Sequence, residues 1–273
     1  MDNILINGKA SETINVNDRG LQYGDGLFET MAVHNGKLAL WESHWQRLSL
    51  GCEKLSITCP NKEILEKEIS LLCETNNEPR FVIKLIVTRG EGQRGYRFTD
   101  EQNVTRILSS HTWPAYSEKY KTEGVDARYC ETSLSENEKL AGIKHLNRLE
   151  QVLARNEWAD EFQEGLMLTT KGYVVDGTMS NLFVVLDNTI FTPDLSKCGV
   201  SGVMRKAVIN VAKELRFSVF EKNLTKADVE MADELFLTNS LFGIWPIKTL
   251  GKTRFTHVGT VIKQLQKEII KTC

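Results

Sequence analysis

Asp18-Arg19-Gly20-Leu21-Gln22-Tyr23-Gly24-Asp25-Gly26 runs into Leu27-Phe28-Glu29-Thr30-Met31-Ala32-Val33-His34, and then into Asn35-Gly36. The glycine-rich part reads as a loop, because glycine weakens helix and strand interiors alike. The apolar stretch after it reads as a strand. Asn35-Gly36 turns that strand back on itself, since a tight hairpin needs positive φ at both central positions. Asn7-Gly8 after Ile4 to Ile6 carries the same signal. The chain therefore opens on hairpins.

Outward from this stretch, residues 41–56 show helical spacing (Trp41, Trp45, Leu48, Cys52, Leu55), and Pro60 opens a second helix through Leu72. Residues 81–88 and 105–109 read as strands. The pattern breaks at Pro114 into a polar stretch, which places a linker at 116–121 between an N-terminal domain, 1–115, and a C-terminal domain, 122–273. In the second half we expect a strand at 126–131, a helix over 145–158, and strands near Leu166, Val174, Leu182 and Ile190. A helix over 202–215, a strand at 234–238 and a closing helix over 258–270 follow. Mixed α/β (α+β) elements in two lobes are the predicted fold class.

Of 273 residues, 34 are basic and 36 acidic, for a net charge of -2, and 41% are hydrophobic. That composition excludes a disordered chain and a nucleic-acid coat, so any anionic ligand must be gripped by a few local groups. Cys52, Cys59, Cys73, Cys130, Cys198 and Cys273 are scattered without a CxxC, and a reduced, cytoplasmic protein is expected. No basic start followed by an apolar stretch, and no long unbroken apolar run, points to export or a membrane span. His34, His44, His111, His145 and His257 form no metal-ligand spacing, so no metal is expected. Gly90-Glu91-Gly92-Gln93-Arg94-Gly95 matches a dinucleotide fingerprint, but strand-like residues follow where that motif needs a helix. A hairpin loop displaying Arg89, Arg94 and Tyr96 fits better.

Three further segments could carry chemistry. Lys144 lies in Ala141-Gly142-Ile143-Lys144-His145-Leu146-Asn147-Arg148-Leu149-Glu150, where an apolar helix is expected to begin. Gly199-Val200-Ser201-Gly202-Val203-Met204-Arg205 precedes a helix, so its amides could hold an anion, or Ser201 could simply cap it. Asp176, in Asp176-Gly177-Thr178-Met179-Ser180-Asn181, could be a buried partner or a turn residue.

Together with Leu5-Ile6-Asn7-Gly8, His44-Trp45-Gln46-Arg47-Leu48 and Asn239-Ser240-Leu241, these segments resemble the fold-type IV pyridoxal-phosphate enzymes, in order and over nearly the whole chain. The resemblance implies a two-domain fold like that of D-amino acid aminotransferase, pyridoxal 5'-phosphate as cofactor and a homodimer. It implies that Lys144 holds the cofactor covalently and that Arg47 pairs with its phosphate. The Val203 and Met204 amides and the Asn239-Ser240 stretch would complete the phosphate cup. Asp176 would pair with the pyridine nitrogen, where much of the family carries Glu. Gly142 through Leu153, with Thr88-Arg89-Gly90 and Arg94-Gly95-Tyr96, is most similar to the aminodeoxychorismate lyases. These convert 4-amino-4-deoxychorismate to 4-aminobenzoate and pyruvate, towards folate. On that reading Lys144 is the catalytic base and Thr30 assists at the ether oxygen. Arg94 first and Arg89 second grip substrate carboxylates, with Tyr96 and Phe28 beside them. A branched-chain or D-amino acid aminotransferase remains the alternative.

Overall fold

The computed structural model describes residues 4–100, 103–255 and 258–272; His257 and Cys273 lie outside them. The chain divides into two compact units. One is Met1–Pro114 with Ile143–Asn147, and the other is Ala115–Gly142 with Arg148–Cys273.

The first unit holds β1 (Ile4–Ile6), β2 (Lys9–Ala10), α1 (Arg19–Tyr23), β3 (Gly26–His34), β4 (Lys37–Leu38), α2 (Trp41–Leu55), α3 (Lys62–Thr75), β5 (Arg80–Thr88) and β6 (Thr105–Thr112). Its strands form one sheet in the order β2-β1-β6-β5-β3-β4, with every neighbouring pair antiparallel. Both Asn-Gly turns take the expected conformation: φ is 51° and 79° at Asn7 and Gly8, and 49° and 73° at Asn35 and Gly36. The glycine-rich loop is corrected to the short helix α1. Asp18 caps it by accepting from the Gly20 amide at 2.8 Å, and Gly20 is needed because a Cβ there would stand 2.2 Å from the Thr88 side chain.

The two faces of this sheet differ. By register, Leu27, Met31 and Val33 share a face with Ile83, Leu85, Val87 and Leu108. That face is buried, as are Leu48 and Cys52 of α2 and Leu65, Ile69 and Leu72 of α3. Helix α2 packs on β3 and α3 on β6. The other face carries Phe28, Thr30, Lys84, Ile86 and Ile107, all half-buried.

Residues 143–147 correct two expectations. The sequence pattern places them in the second domain and starts a helix at 145, but they cluster with the first unit, outside any helix. The reason lies in β3. Strand β4 pairs only with Val33 and His34, which leaves the start of β3 open on that edge. The segment occupies it: the Phe28 amide donates to the Lys144 carbonyl at 2.9 Å, the Leu146 amide donates to the Gly26 carbonyl at 3.0 Å, and Leu27 pairs with His145.

The second unit holds α4 (Lys119–Thr122), β7 (Val125–Leu134), α5 (Leu149–Arg155), β8 (Glu164–Thr169), β9 (Tyr173–Gly177), β10 (Asn181–Leu186), β11 (Thr189–Pro193), α6 (Val203–Glu214), β12 (Val219–Lys222), β13 (Leu224–Thr225), α7 (Lys226–Glu230), β14 (Glu234–Asn239), β15 (Gly243–Leu250), β16 (Thr253–Arg254) and α8 (Thr260–Ile269). The sheet runs β12-β11-β10-β14-β15-β7-β8-β9-β13. A further pairing of β9 with β10, at Asp176 and Asn181, closes β10, β14, β15, β7, β8 and β9 into a barrel. Val125, Leu166, Val174, Leu182, Leu235 and Trp245 belong to its core. Strand β15 escaped the sequence reading because Pro246 sits within it, opposite Phe236, and proline argues against a central strand. The stretch read as a linker is docked: the Tyr116 and Tyr120 rings lie 4.9 and 5.1 Å from that of Trp245, and α4 overlaps it.

Candidate active site

In the first unit, Lys144 precedes α5 by five residues, so the open edge of β3, and not a helix terminus, sets its position. Its Nζ lies 4.4 Å from the centroid of the Phe28 ring. Phe28 and Thr30 point to the half-buried face of the sheet.

Glu29 lies on the inner face, between Leu27 and Met31. His44 and Arg47, three residues apart on α2, reach it from the helix above. Arg47 Nε donates to Glu29 Oε1 at 2.9 Å, Arg47 Nη2 donates to Oε2, and His44 Nδ1 donates to Oε2 at 2.6 Å. Burial by itself would push the Glu29 carboxyl up, but the Arg47 charge and the His44 hydrogen bond outweigh it and hold it at about 2. Burial holds His44 below its ordinary value against the pull of Glu29, and the Arg47 and Lys144 charges act in the same direction. Lys144 is thus within electrostatic reach of this network. The sequence reading missed Glu29 and His44. The signal was present, because a glutamate in phase with Leu27, Met31 and Val33 must face the core.

Arg89, expected to grip a substrate carboxylate, is held by its own unit. It is buried, its Nε and Nη2 donate to Asp25 at 2.8 and 2.9 Å, and its Nη2 and Nη1 donate to the Leu55 and Ser56 carbonyls at 2.7 and 2.6 Å. Asp25 also accepts from Arg19 Nε at 2.9 Å. Arg94 and Tyr96 are exposed on the loop after β5. That loop borders an open cleft of 820 Å³, lined also by Arg19, Arg97 and Phe98. No helix begins at Gly95, which agrees with setting aside the dinucleotide fingerprint.

In the second unit, Asp176 sits at the closure of the barrel and is 6% exposed. Its Oδ2 accepts from the Val200 amide at 2.8 Å and its Oδ1 from Asn181 Nδ2 at 2.7 Å. Burial pushes this carboxyl up to about 7, opposed only in part by those two donors and by the charges of Arg205 and Arg148. Among the described residues it has no ion pair.

Helix α6 starts beside it. Its N-cap is Gly202, not Ser201, and the Val203 and Met204 amides stand in its first turn, the arrangement that attracts an anion. Asn181, which the sequence reading passed over, joins the two features: its Nδ2 also donates to the Val200 carbonyl at 2.8 Å. A Cβ at Gly202 would stand 1.9 Å from Asn181 Oδ1, so only glycine fits. The Asn239 side chain is bonded within the chain. Its Nδ2 donates to the Met179 carbonyl at 2.6 Å and its Oδ1 accepts from the Leu241 amide at 2.8 Å, which shapes the turn that presents Ser240. Glu164 was also missed. Its carboxylate accepts from the Thr178 and Met179 amides at 2.9 and 3.2 Å and from Ser180 Oγ at 2.7 Å, and so holds the turn after Asp176. Among the described residues no group of three potential ligands could hold a metal ion, and no helix is long and apolar enough to cross a membrane.

The family model for class IV amino-transferases matches residues 26–250. An aminodeoxychorismate lyase from Vibrio harveyi is 35% identical over 248 residues, 90% of each chain. The crystal structure of 4-amino-4-deoxychorismate lyase from Pseudomonas aeruginosa superposes with a TM-score of 0.94 at 44% identity, covering 98% of each chain. A D-alanine aminotransferase from Bacillus licheniformis is 28% identical over 257 residues, 92% of this chain and 89% of its own. With a family match that takes in β3, α2, Lys144, Asp176 and α6, the chain belongs to the class IV amino-transferase family, of fold type IV.

Proposed function

We propose that this protein is a pyridoxal 5'-phosphate-dependent lyase that converts 4-amino-4-deoxychorismate to 4-aminobenzoate and pyruvate. Asp176 carries the cofactor assignment. A buried carboxylate that receives two neutral donors and, among the described residues, no ion pair suits the protonated nitrogen of a pyridine ring. The start of α6 suits a phosphate, as does Arg47, whose orientation Glu29 fixes. Ser240 would complete that cup, and Lys144 would hold the cofactor through its Nζ. The lyase names borne by the relatives at 35% and 44% identity support this reaction over amino transfer.

When bound, pyridoxal phosphate supplies an electron sink for the carbon that bears the substrate amine. Lys144 Nζ takes the proton from that carbon, Phe28 walls the amine, and Thr30 Oγ1 assists as the enolpyruvyl oxygen leaves and the ring becomes aromatic. Lys144 then returns the proton to the departing enol carbon. Arg94 and Tyr96 would contribute to substrate binding from their exposed loop. We further propose a homodimer, supported by Leu149, Val152 and Leu153, which stand exposed on one side of α5. A cytoplasmic location is supported by the free thiols of Cys52, Cys59, Cys73, Cys130 and Cys198.

Incubating purified protein and cofactor with 4-amino-4-deoxychorismate should release 4-aminobenzoate and pyruvate together. Borohydride reduction and peptide mapping should place the pyridoxyl group on Lys144. Transfer of amino groups from amino acids to 2-oxo acids without 4-aminobenzoate would establish the aminotransferase instead.

A further inference from the structure

The proposed substrate carries two carboxylates, and the buried and half-buried arginines of the first unit named next are already matched. Arg19 and Arg89 share Asp25, Arg47 holds Glu29, and Arg106 Nη2 donates to Glu68 at 2.7 Å. Lys84 differs from these. It lies on β5, directly opposite Thr30 of β3 on one side and Ser109 of β6 on the other, on the half-buried face of the sheet. Among the described residues its side chain makes no hydrogen bond and no ion pair. Its one contact is with a ring, its Nζ lying 5.6 Å from the Phe28 centroid. A half-buried ammonium without a counter-ion is a costly arrangement unless an anion arrives.

The same Phe28 ring lies 4.4 Å from Lys144 Nζ. The two ammonium nitrogens are therefore separated by no more than the sum of those two distances. If Lys144 acts at the amine-bearing carbon, a cation within that span meets the opposite end of a six-membered ring. We infer that Lys84 is a substrate-binding residue that pairs with the ring carboxylate, para to the amine. The inference rests on the lyase reading. Lys84 fixes which end of the substrate faces Lys144, and it stays paired with the same carboxylate in the aromatic product. The side chain acts as a point charge against one carboxylate oxygen, with the Phe28 face shielding the pair from water.

The product makes the test independent of turnover. Calorimetric titration of the cofactor-loaded enzyme with 4-aminobenzoate and with aniline, which lacks the carboxylate, compares wild type, Lys84→Met and Lys84→Arg. Lys84→Met should weaken 4-aminobenzoate binding about 10- to 100-fold, leave aniline unchanged, and raise KM far more than it lowers kcat. Lys84→Arg keeps the charge and the fold and should recover most of the affinity. Wild type that turns over 4-amino-4-deoxychorismate while Lys84→Met, or Lys84→Gln should the Met variant not fold, binds 4-aminobenzoate as tightly overturns the inference alone. Wild type that releases no 4-aminobenzoate overturns the lyase reading and this inference with it.

Discussion

Glu29 in the first unit and Asp176 in the second are both buried carboxylates, and the two have opposite fates. Glu29, in the first unit, meets a guanidinium and an imidazole supplied by α2, and its carboxyl is held at about 2. Asp176, in the second, meets an amide and a carboxamide, and burial raises its carboxyl to about 7. Similar burial gives opposite shifts because only Glu29 is ion-paired within its own chain, whereas the charges of Arg205 and Arg148 offset the burial of Asp176 only in part. Glu29 is a finished ion pair whose task is to orient Arg47. Asp176 is an unfinished one, and the missing cation has to come from a ligand.

The largest expected effect falls on the unfinished pair. Asp176→Asn nearly preserves shape but removes the charge and one of the two acceptor oxygens, so kcat should fall on the order of 10³-fold with only a modest change in folding. Steady-state turnover of the cofactor-loaded variant checks this, and near-normal kcat would remove Asp176 from the ring nitrogen. Asp176→Glu should retain substantial activity. Breaking the finished pair should cost stability instead. Glu29→Gln leaves Arg47 and His44 facing a neutral group, with an expected loss of about 3 to 5 kcal/mol in chemical denaturation and weaker cofactor binding. An unchanged midpoint would show that Arg47 is oriented by something else.

The pH dependence of the cofactor-free protein separates the two carboxylates again. Folded Asp176 keeps its proton between its ordinary value of 3.8 and about 7, whereas the unfolded chain releases it. Stability should therefore fall as pH rises through that window, by up to about 4 kcal/mol from this group, and the fall should flatten in Asp176→Asn. Glu29 has the reverse sign. Its contribution is present above 4.5 and is lost as pH drops towards about 2. Denaturant midpoints across the pH range, wild type against Asp176→Asn, test both signs.

The smallest effect repeats the contrast in thiols. A hydrogen bond from Cys52, helped by one from Ser49, lowers Cys59 to about 7 against its burial, whereas burial raises Cys130 to about 12 and Cys198 to about 11. Brief alkylation at neutral pH followed by mass mapping should label Cys59 well ahead of Cys130 and Cys198. Equal labelling would contradict the reading that a hydrogen-bonding partner lowers Cys59 where burial alone raises Cys130 and Cys198.

Local chemistry is legible in the amino-acid sequence alone. Asn7-Gly8 and Asn35-Gly36 fold as read because positive φ is a property of those two residue types, and α2, α3, α6 and α8 follow from spacing along one chain segment. Motifs, which also record local order, pick out Lys144, Arg47 and Asp176. Distant partners are out of their reach. Nothing near residue 89 in the sequence says that Asp25 and the Leu55 and Ser56 carbonyls will take its guanidinium. Nothing near residue 84 says that, among the described residues, the Lys84 ammonium will have only the Phe28 ring. Likewise, the apolar residues after Lys144 suggest a helix from residue 145, whereas the open edge of β3 draws 143–147 into extended pairing. Sequence by itself determined which residues could carry charge and which segments could be helix or strand, since those depend on neighbours along the chain. Tertiary structure alone decided which charges are neutralised, because the partners that set a buried group's protonation lie far away in sequence and are brought together only by strand register and helix packing.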